Sequence, residues 1–408
     1  MANNKSNFLF LIGFISVIAI FVGFSFSSVE SSYTTDNEYC KTYADTLTAF
    51  HKSEIDYVEL LDDKLNSFTS KIDYRAKRSR FNGVVLVAYK NQILFEKAYG
   101  YRDPIKKEKL IIHSSFELAS VSKQFTAASV LKLEEMGKVD LDQSLSTYFP
   151  DFKFKNIRIQ DLLKHSTGLW DYMYLTEAYW EKTDAPNNQD VISLVNAHQS
   201  RLNFTPGRRF DYNNTNYAIL VALVEKLSNQ SFETFLRENF FDPYCVEETY
   251  VGVESRKEDN VLNAFQPYRR GFLALPPSFH NGPLGDKGIH TTAKSLWLWF
   301  KALKNHESLT EESVNKMFNL DNYKHYKYGM GFRTKRDYKG NLEVYHNGIW
   351  DGFRTGLHYS PNDNLTYIVL SHTQNKGKRY FQNYLKKQAR ILVNSLNINN
   401  SQASLTQN

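Results

Sequence analysis

Glu117 to Gly137 reads ELASVSKQFTAASVLKLEEMG and holds two Ser-x-x-Lys pairs, Ser120/Lys123 and Ser129/Lys132; a third occurs at Ser313/Lys316. One helical turn sets an amine beside a hydroxyl, which is how such a pair makes a nucleophile. Position separates the three. The apolar run Phe116 to Ala119 gives way to a helical pattern closed by Gly137, so Ser120 stands at the helix start. There, free backbone N–H groups and the positive end of the helix dipole favour a developing oxyanion. Ser129 lies nine residues further on and, at about 100° per residue, faces the opposite side in mid-helix. It is expected to pack or to bond its own backbone. Ser313 falls in the polar, acidic stretch Thr310 to Lys316 and reads as an exposed helix start.

Outward from this stretch, GVVLVAYKNQILFEKAYGYRD (Gly83 to Asp103) is two apolar β-runs around a Lys90-Asn91 turn, a hairpin signal. Helical periods follow near Val121 to Met136, Ile159 to Lys164, Val191 to Gln199, Tyr217 to Leu227, Phe232 to Phe240 and Ser295 to Leu303. Strands return at Tyr328 to Arg333, Leu342 to His346, Gly352 to Tyr359 and Leu365 to Ser371, before a closing helix from about Tyr380 to Leu396. This order predicts an α+β fold: one antiparallel sheet formed by both chain ends with flanking helices, and an all-helical lobe, about 117–285, inserted between.

The 408 residues suffice for a substantial core, and 42% hydrophobic with 15% aromatic content excludes a disordered chain. The net charge of +6 is spread along the chain. Its densest basic patch, Lys376, Lys378, Arg379, Lys386, Lys387 and Arg390, lies on the amphipathic closing helix, reads as a solvated face, and lacks a nucleic-acid motif. Phe8 to Phe26 is an uncharged apolar run preceded by Lys5. It predicts export, either as a membrane anchor or as a signal peptide cleaved near Ser25, Ser27 and Ser28. The expected organisation is 1–32 anchor or signal, 33–77 polar tether and N-terminal helix, 78–396 catalytic body and 397–408 polar tail. The two cysteines, Cys40 and Cys245, either pair in an oxidising compartment or stay as two thiols.

FTPGRRFDYNNTNYAILVALVEKLS (Phe204 to Ser228) presents Tyr212 and Asn214 from a loop just before a helix, where a phenol can relay a proton. Each has a second reading, Tyr212 as an aromatic lid and Asn214 as the N-cap of a helix beginning near Thr215. LEVYHNGIWDGFRTGLHYSP holds His346, Asn347 and Gly348 at a strand end, where a small residue lets a substrate backbone lie alongside and receive N–H groups. His165 reads as part of a structural turn with Ser166 to Gly168. No HExxH or CxxC occurs, so no metal or other cofactor is assigned. Tyr268, Arg269 and Arg270 are either cleft-rim residues or simply solvent-exposed.

The ordered set Ser120/Lys123, Tyr212/Asn214 and His346/Gly348 resembles the serine β-lactamase and penicillin-binding protein superfamily, nearest its class C-like branch of β-lactamases, D-amino peptidases and esterases. FELASVSKQFTA, LLKHSTGL, FTPGRRFDYNNTNYAIL and GIHTTAKSLWLWF each look like family signatures. The resemblance implies an active site at the interface of sheet and lobe. It implies that Ser120 forms an acyl-enzyme, Lys123 accepts its proton, Tyr212 passes a proton to the leaving group, and Asn214 holds Lys123 or the substrate amide. The N–H groups of Ser120 and Ile349 would form the oxyanion hole. His346 stands where better-known β-lactamases carry lysine, and Asp242-Pro243-Tyr244-Cys245 departs from the family run at that place. Implied partners are a small-molecule or peptide substrate, cell-wall peptide among the candidates, and a membrane met through the N-terminal segment. A second class of reading is a tethered penicillin- or peptide-binding protein that acylates with little turnover.

Overall fold

The structure, a computed structural model, describes residues 55–252, 257–318, 327–336, 340–374 and 378–405. Helix α1 (Ile55–Ser79) leads into a hairpin of β1 (Gly83–Tyr89) and β2 (Gln92–Tyr99). After β3 (Phe116–Glu117), the 3₁₀ turn Ala119–Ser122 runs directly into α2 (Lys123–Glu135). The lobe continues with α3 (Leu145–Tyr148), α4 (Ile159–Leu163), α5 (Tyr172–Tyr179), α6 (Asn188–His198), α7 (Asn214–Ser228) and α8 (Phe232–Leu236). Short strands β4 (Tyr250–Val251), β5 (Phe265–Tyr268), β6 (Gly271–Ala274) and β7 (Ile289–Thr291) precede α9 (Ala293–Lys304) and α10 (Glu311–Phe318). The chain closes with β8 (Arg333–Arg336), β9 (Leu342–Trp350), β10 (Phe353–Ser360), β11 (Leu365–Ser371) and α11 (Lys378–Leu405).

The main sheet has the order β8-β9-β10-β11-β1-β2, every pair antiparallel, so the first and last strands of the chain meet at β11 and β1. The apolar run of β1 is buried on both faces, because helices cover both. On one face α1 and α11 insert Phe68, Ile72, Ala76, Phe381, Leu385 and Ala389 against Val85, Val87 and Val369. Helix α9 packs on the other, and its Trp299 indole N–H donates to Gln124 Oε1 of α2 at 3.0 Å, joining sheet and lobe.

The predicted α+β architecture is present, with differences of detail. Three short strands lie between Tyr250 and Ala274, in a lobe expected to be all-helical; the β5–β6 hairpin turns at Arg269, whose φ is 50°. The strand expected at Tyr328 to Arg333 begins only at Arg333. Before it the chain folds over α2 at Gly331 (φ 77°), where a Cβ would lie 2.8 Å from the Lys123 carbonyl oxygen. Helix α11 runs to Leu405, through residues expected as a polar tail. Its basic residues are not all on a solvated face: Lys386 pairs with Glu343, and Arg390 donates to Ser360 Oγ at 3.1 Å and meets Asp363 at 3.2 Å. Ser313 is buried, its hydroxyl 2.7 Å from Glu135 Oε1, so that helix start is not exposed. The anchor or signal run Phe8 to Phe26 lies outside the described residues. Among the described residues, no helix is long and apolar enough to cross a membrane.

Behind the sheet, His358 Nδ1–H donates to the Glu343 carboxylate at 2.8 Å, and the ring stacks between Tyr345 and Tyr367. Burial pushes His358 and His372 down to about 4, against about 6.5 in an unfolded chain. Because the unfolded chain takes up these protons first, stability is full above about 6.5 and falls as pH drops towards 4. Glu343, held below the ordinary carboxylate range by His358 and Lys386 against the cost of burial, adds to the loss at still lower pH. The melting temperature should therefore fall by several degrees between pH 7 and pH 4.5. A flat profile over that window, followed by calorimetry, would contradict this account of the buried histidines.

Candidate active site

Ser120 sits in the turn that links β3 to α2, and that turn is held from three sides. Glu117 Oε1 accepts from the N–H groups of Ala119 and Gly288, both at 2.9 Å, while its Oε2 lies 3.3 Å from His290 Nε2. Leu118 N–H donates to Ile289 O at 2.8 Å. Ala119 has φ 52°, a left-handed conformation that costs a non-glycine residue roughly 1–2 kcal/mol. Those fixed contacts over-determine it, and the strain lies immediately before Ser120.

Lys123 is the first residue of α2 and is fully buried. Its Nζ lies 3.2 Å from Ser120 Oγ, 2.9 Å from Asn214 Oδ1 and 2.9 Å from the Asp286 carbonyl oxygen. Asn214 is not the cap of its helix. Asn213 is: its side chain accepts from Thr215 N–H at 2.8 Å, which leaves the Asn214 amide to hold Lys123. Asp171, itself the N-cap of α5, accepts from Asn214 N and Nδ2 at 3.4 and 3.3 Å.

The Tyr212 ring lies 5.0 Å from Lys123 Nζ and within an aromatic wall of His165, Tyr328 and His346, with centroid separations of 4.4, 6.0 and 6.2 Å. The loop bearing Tyr212 is docked by the turn at His165. Asp211 N–H donates to His165 O at 2.8 Å, Asn203 N–H donates to Gly168 O at 2.8 Å, and a Cβ at Gly168 would meet Phe204 O at 2.5 Å. His165 Nδ1 accepts from Asn213 N–H at 3.2 Å, so His165 is the scaffold residue its sequence context suggested.

His346 is buried on the cleft side of β9. Its Nδ1 faces Asn347 O at 2.9 Å and its Nε2 faces Tyr328 OH at 3.3 Å. Burial, reinforced by the positive charges of Lys123 and Arg333, pushes its pKa well below the usual 6.5, so the ring is neutral at pH 7. Nδ1–H therefore donates to the carbonyl, and Nε2 accepts from the Tyr328 phenol. Gly348 also packs against the Ser120 turn. A Cβ there would stand 2.2 Å from both Leu118 O and Thr355 Oγ1, and 2.9 Å from Ala119 Cβ. The space left by the missing side chain is filled by the Ser120 turn itself, and Thr355 Oγ donates to Leu118 O at 2.6 Å. Ile349 follows and is 66% exposed.

Five further residues were not singled out from the sequence: Glu117, Asp171, Tyr328, Lys287 and Arg333. Arg333 stacks its guanidinium 4.7 Å over the Tyr212 ring and 5.5 Å over Tyr328. Arg269 and Arg270, the arginines noted beforehand, are exposed at the β5–β6 turn. Only Asp171 had a local signal, an Asp directly before a helix. The others meet the site through tertiary contacts.

A serine hydroxyl and a buried lysine amine one turn apart, between a helical lobe and an antiparallel sheet, place this molecule among the β-lactamase-related serine hydrolases. The chain belongs to the family described as Beta-lactamase, which matches residues 68–390. Over 335 residues it is 28% identical to Penicillin-binding protein 4* of Bacillus subtilis (strain 168), covering 78% of this chain and 73% of that one. The fold is similar to that of the penicillin binding protein from Bacillus halodurans, with a TM-score of 0.69 and 22% identity over 78% of this chain and 98% of that chain. It is also similar to D-amino acid amidase from Ochrobactrum anthropi SV3, with a TM-score of 0.65 and 18% identity over 84% of this chain and 99% of that chain.

Proposed function

We propose that this chain is an exported serine hydrolase that opens amide or ester carbonyls through an acyl-enzyme on Ser120. The observation that carries the reading is the Lys123 amine, buried and held by Asn214 and Asp286 within 3.2 Å of Ser120 Oγ. As the Ser120 Oγ–carbon bond forms, the hydroxyl proton passes to Lys123 Nζ, and the carbonyl oxygen takes the negative charge between the N–H groups of Ser120 and Ile349. Tyr212, beside Lys123, delivers a proton to the departing nitrogen or oxygen, and then takes one from the water that releases the acyl group. Asn214 holds Lys123 in place. A panel of p-nitrophenyl esters, D-alanyl peptides and a chromogenic cephalosporin tests this: steady turnover supports it, whereas one stoichiometric burst would favour a penicillin- or peptide-binding protein that stays acylated.

Substrate preference follows from the charge carried at positions 346 and 333. A lysine at position 346 would offer a fixed charge to a substrate carboxylate; neutral His346 does not. Arg333, half-exposed on the strand next to β9, supplies a permanent charge at the same end of the cleft. Arg333→Ala is expected to lower kcat/KM for a D-alanyl peptide about 10- to 100-fold, the worth of a charge-assisted hydrogen bond, and for a neutral ester less than about threefold. His346→Lys should shift preference the other way, towards carboxylate-bearing substrates. An equal loss on both substrates in Arg333→Ala would mean that the guanidinium holds Tyr212 and does not read the carboxylate.

The catalytic body is taken as 78–396, tethered through 33–77 to the Phe8 to Phe26 run, which keeps it on the outer face of a membrane. A disulfide between Cys40 and Cys245 would suit an oxidising compartment. Cell fractionation with sequencing of the mature N-terminus checks this. A soluble product beginning near Ser28 to Ser32 would show cleavage and refute anchoring.

A further inference from the structure

Next to the Ser120–Lys123 pair a second lysine is buried. Lys287, 3% exposed, places Nζ 2.5 Å from Tyr172 OH, 3.3 Å from Pro283 O, and 3.3 and 3.5 Å from the two carboxylate oxygens of Asp286. The same amine lies over the Tyr172 and Trp350 rings, at 5.3 and 4.8 Å. Burial pushes its pKa below the ordinary lysine value, with Asp286 opposing the shift. Well-packed apolar residues often serve stability as well as a buried ion pair does, so stability alone is a weak reason for this one.

Two of its partners lead back to Lys123. The Asp286 carboxylate holds Lys287, while the carbonyl of the same residue accepts from Lys123 Nζ at 2.9 Å. Tyr172 follows Asp171, whose carboxylate grips Asn214, and Tyr172 N–H donates to Thr215 Oγ1 at 2.6 Å, next to Asn214 in α7. A third, Trp350, follows Ile349 on β9 and anchors its indole N–H on Asn281 Oδ1 at 2.5 Å. Apart from Ser120, then, both acceptors of the Lys123 amine rest on residues bound by, or adjoining residues bound by, Lys287.

We propose that Lys287 is a positioning residue for proton transfer: gripping Asp286 and Tyr172, it sets the Asp286 carbonyl and the Asn214 amide so that Lys123 Nζ stays within reach of Ser120 Oγ. The proposal rests on the Ser120–Lys123 reading above. Lys287→Met keeps an unbranched chain and removes the amine. In the full-length protein its kcat for a p-nitrophenyl ester should fall about tenfold or more, with KM within about threefold, because an interaction needed during the reaction is lost and ground-state binding is not. In a double-mutant cycle, Lys287→Met combined with Asn214→Ala should be no more than about twofold slower than Asn214→Ala alone, as expected of residues acting through one amine. A Lys287 that only supports packing would give additive losses. Additive losses, or an unchanged kcat in a Lys287→Met protein with native circular dichroism, would overturn the proposal. Should that variant fail to fold, Tyr172→Phe removes just the nearest acceptor: a kcat reduced about threefold or more supports the proposal, and a wild-type kcat overturns it. Ser120→Ala in parallel keeps the two readings apart. Turnover surviving there defeats the Ser120 assignment itself, while a dead Ser120→Ala beside an unimpaired Lys287→Met defeats only the role of Lys287.

Discussion

Ser120→Ala is expected to abolish acyl transfer, by about 10⁴-fold or more in kcat, while the melting temperature stays within a few degrees of wild type. The hydroxyl accepts from Lys123 Nζ at 3.2 Å, and the turn around it is fixed by Glu117, Leu118 and Thr355, none of which needs the Ser120 side chain. Ser129→Ala should leave turnover unchanged. Its hydroxyl is buried and donates to Phe125 O at 2.9 Å, a bond within its own helix worth at most about 1.5 kcal/mol. Labelling with an acylating probe separates the two: a label that survived Ser120→Ala and vanished with Ser129→Ala would reverse the assignment.

Gly348→Ala should come second in size, lowering kcat/KM about 100-fold or more and destabilising the protein by roughly 1–3 kcal/mol. One methyl group would stand 2.2 Å from the Leu118 carbonyl and from Thr355 Oγ1, and neither can retreat freely. The first is backbone of the Ser120 turn and the second is hydrogen-bonded to it. Strand β9 must therefore move away from Ser120, which separates the Ile349 N–H from the Ser120 N–H. A displacement of about 1 Å in such a site is enough for a loss of this order. Gly356→Ala is an informative control. It lies on the neighbouring strand β10, where the added Cβ meets side-chain ends of Asn347, Gln382 and His358 on the far side of the sheet and does not meet the turn. Equal losses of kcat/KM in both variants would mean that the strand tolerates no change anywhere, and would remove the special status of Gly348.

Much of this molecule is decided locally and was legible for that reason. The hairpin β1–β2 follows from two apolar runs and a turn, and α2 from apolar periodicity closed by Gly137. Ser120 lies in the 3₁₀ turn that runs into α2, and Ser129, nine residues on, is bonded to its own helix backbone. The Tyr212/Asn214 and His346/Gly348 segments stood out because each sits in a short stretch with its own turn or strand chemistry, and the family resemblance joined them into a set. The capping of α7 went to Asn213 where two adjacent asparagines competed, a choice of one residue that pattern alone does not make.

What the sequence could not contain is the meeting of groups hundreds of residues apart. Gly348 reads locally as a permissive strand residue, yet its constraint comes from Leu118, 230 positions earlier. Arg333 reads as one basic residue among fifty, and meets the site only because β8 pairs with β9 and lays its guanidinium on Tyr212. His346 looks like a titratable switch in one dimension, but burial, with Lys123 and Arg333 nearby, keeps it neutral. The sequence by itself determined the order of elements and the residue types able to do acyl chemistry, since periodicity and side-chain chemistry are local. The tertiary structure alone decided which glycine packs against the Ser120 turn, which arginine lies over Tyr212 and which histidine stays uncharged, since steric exclusion, burial and electrostatics depend on what the rest of the chain brings near.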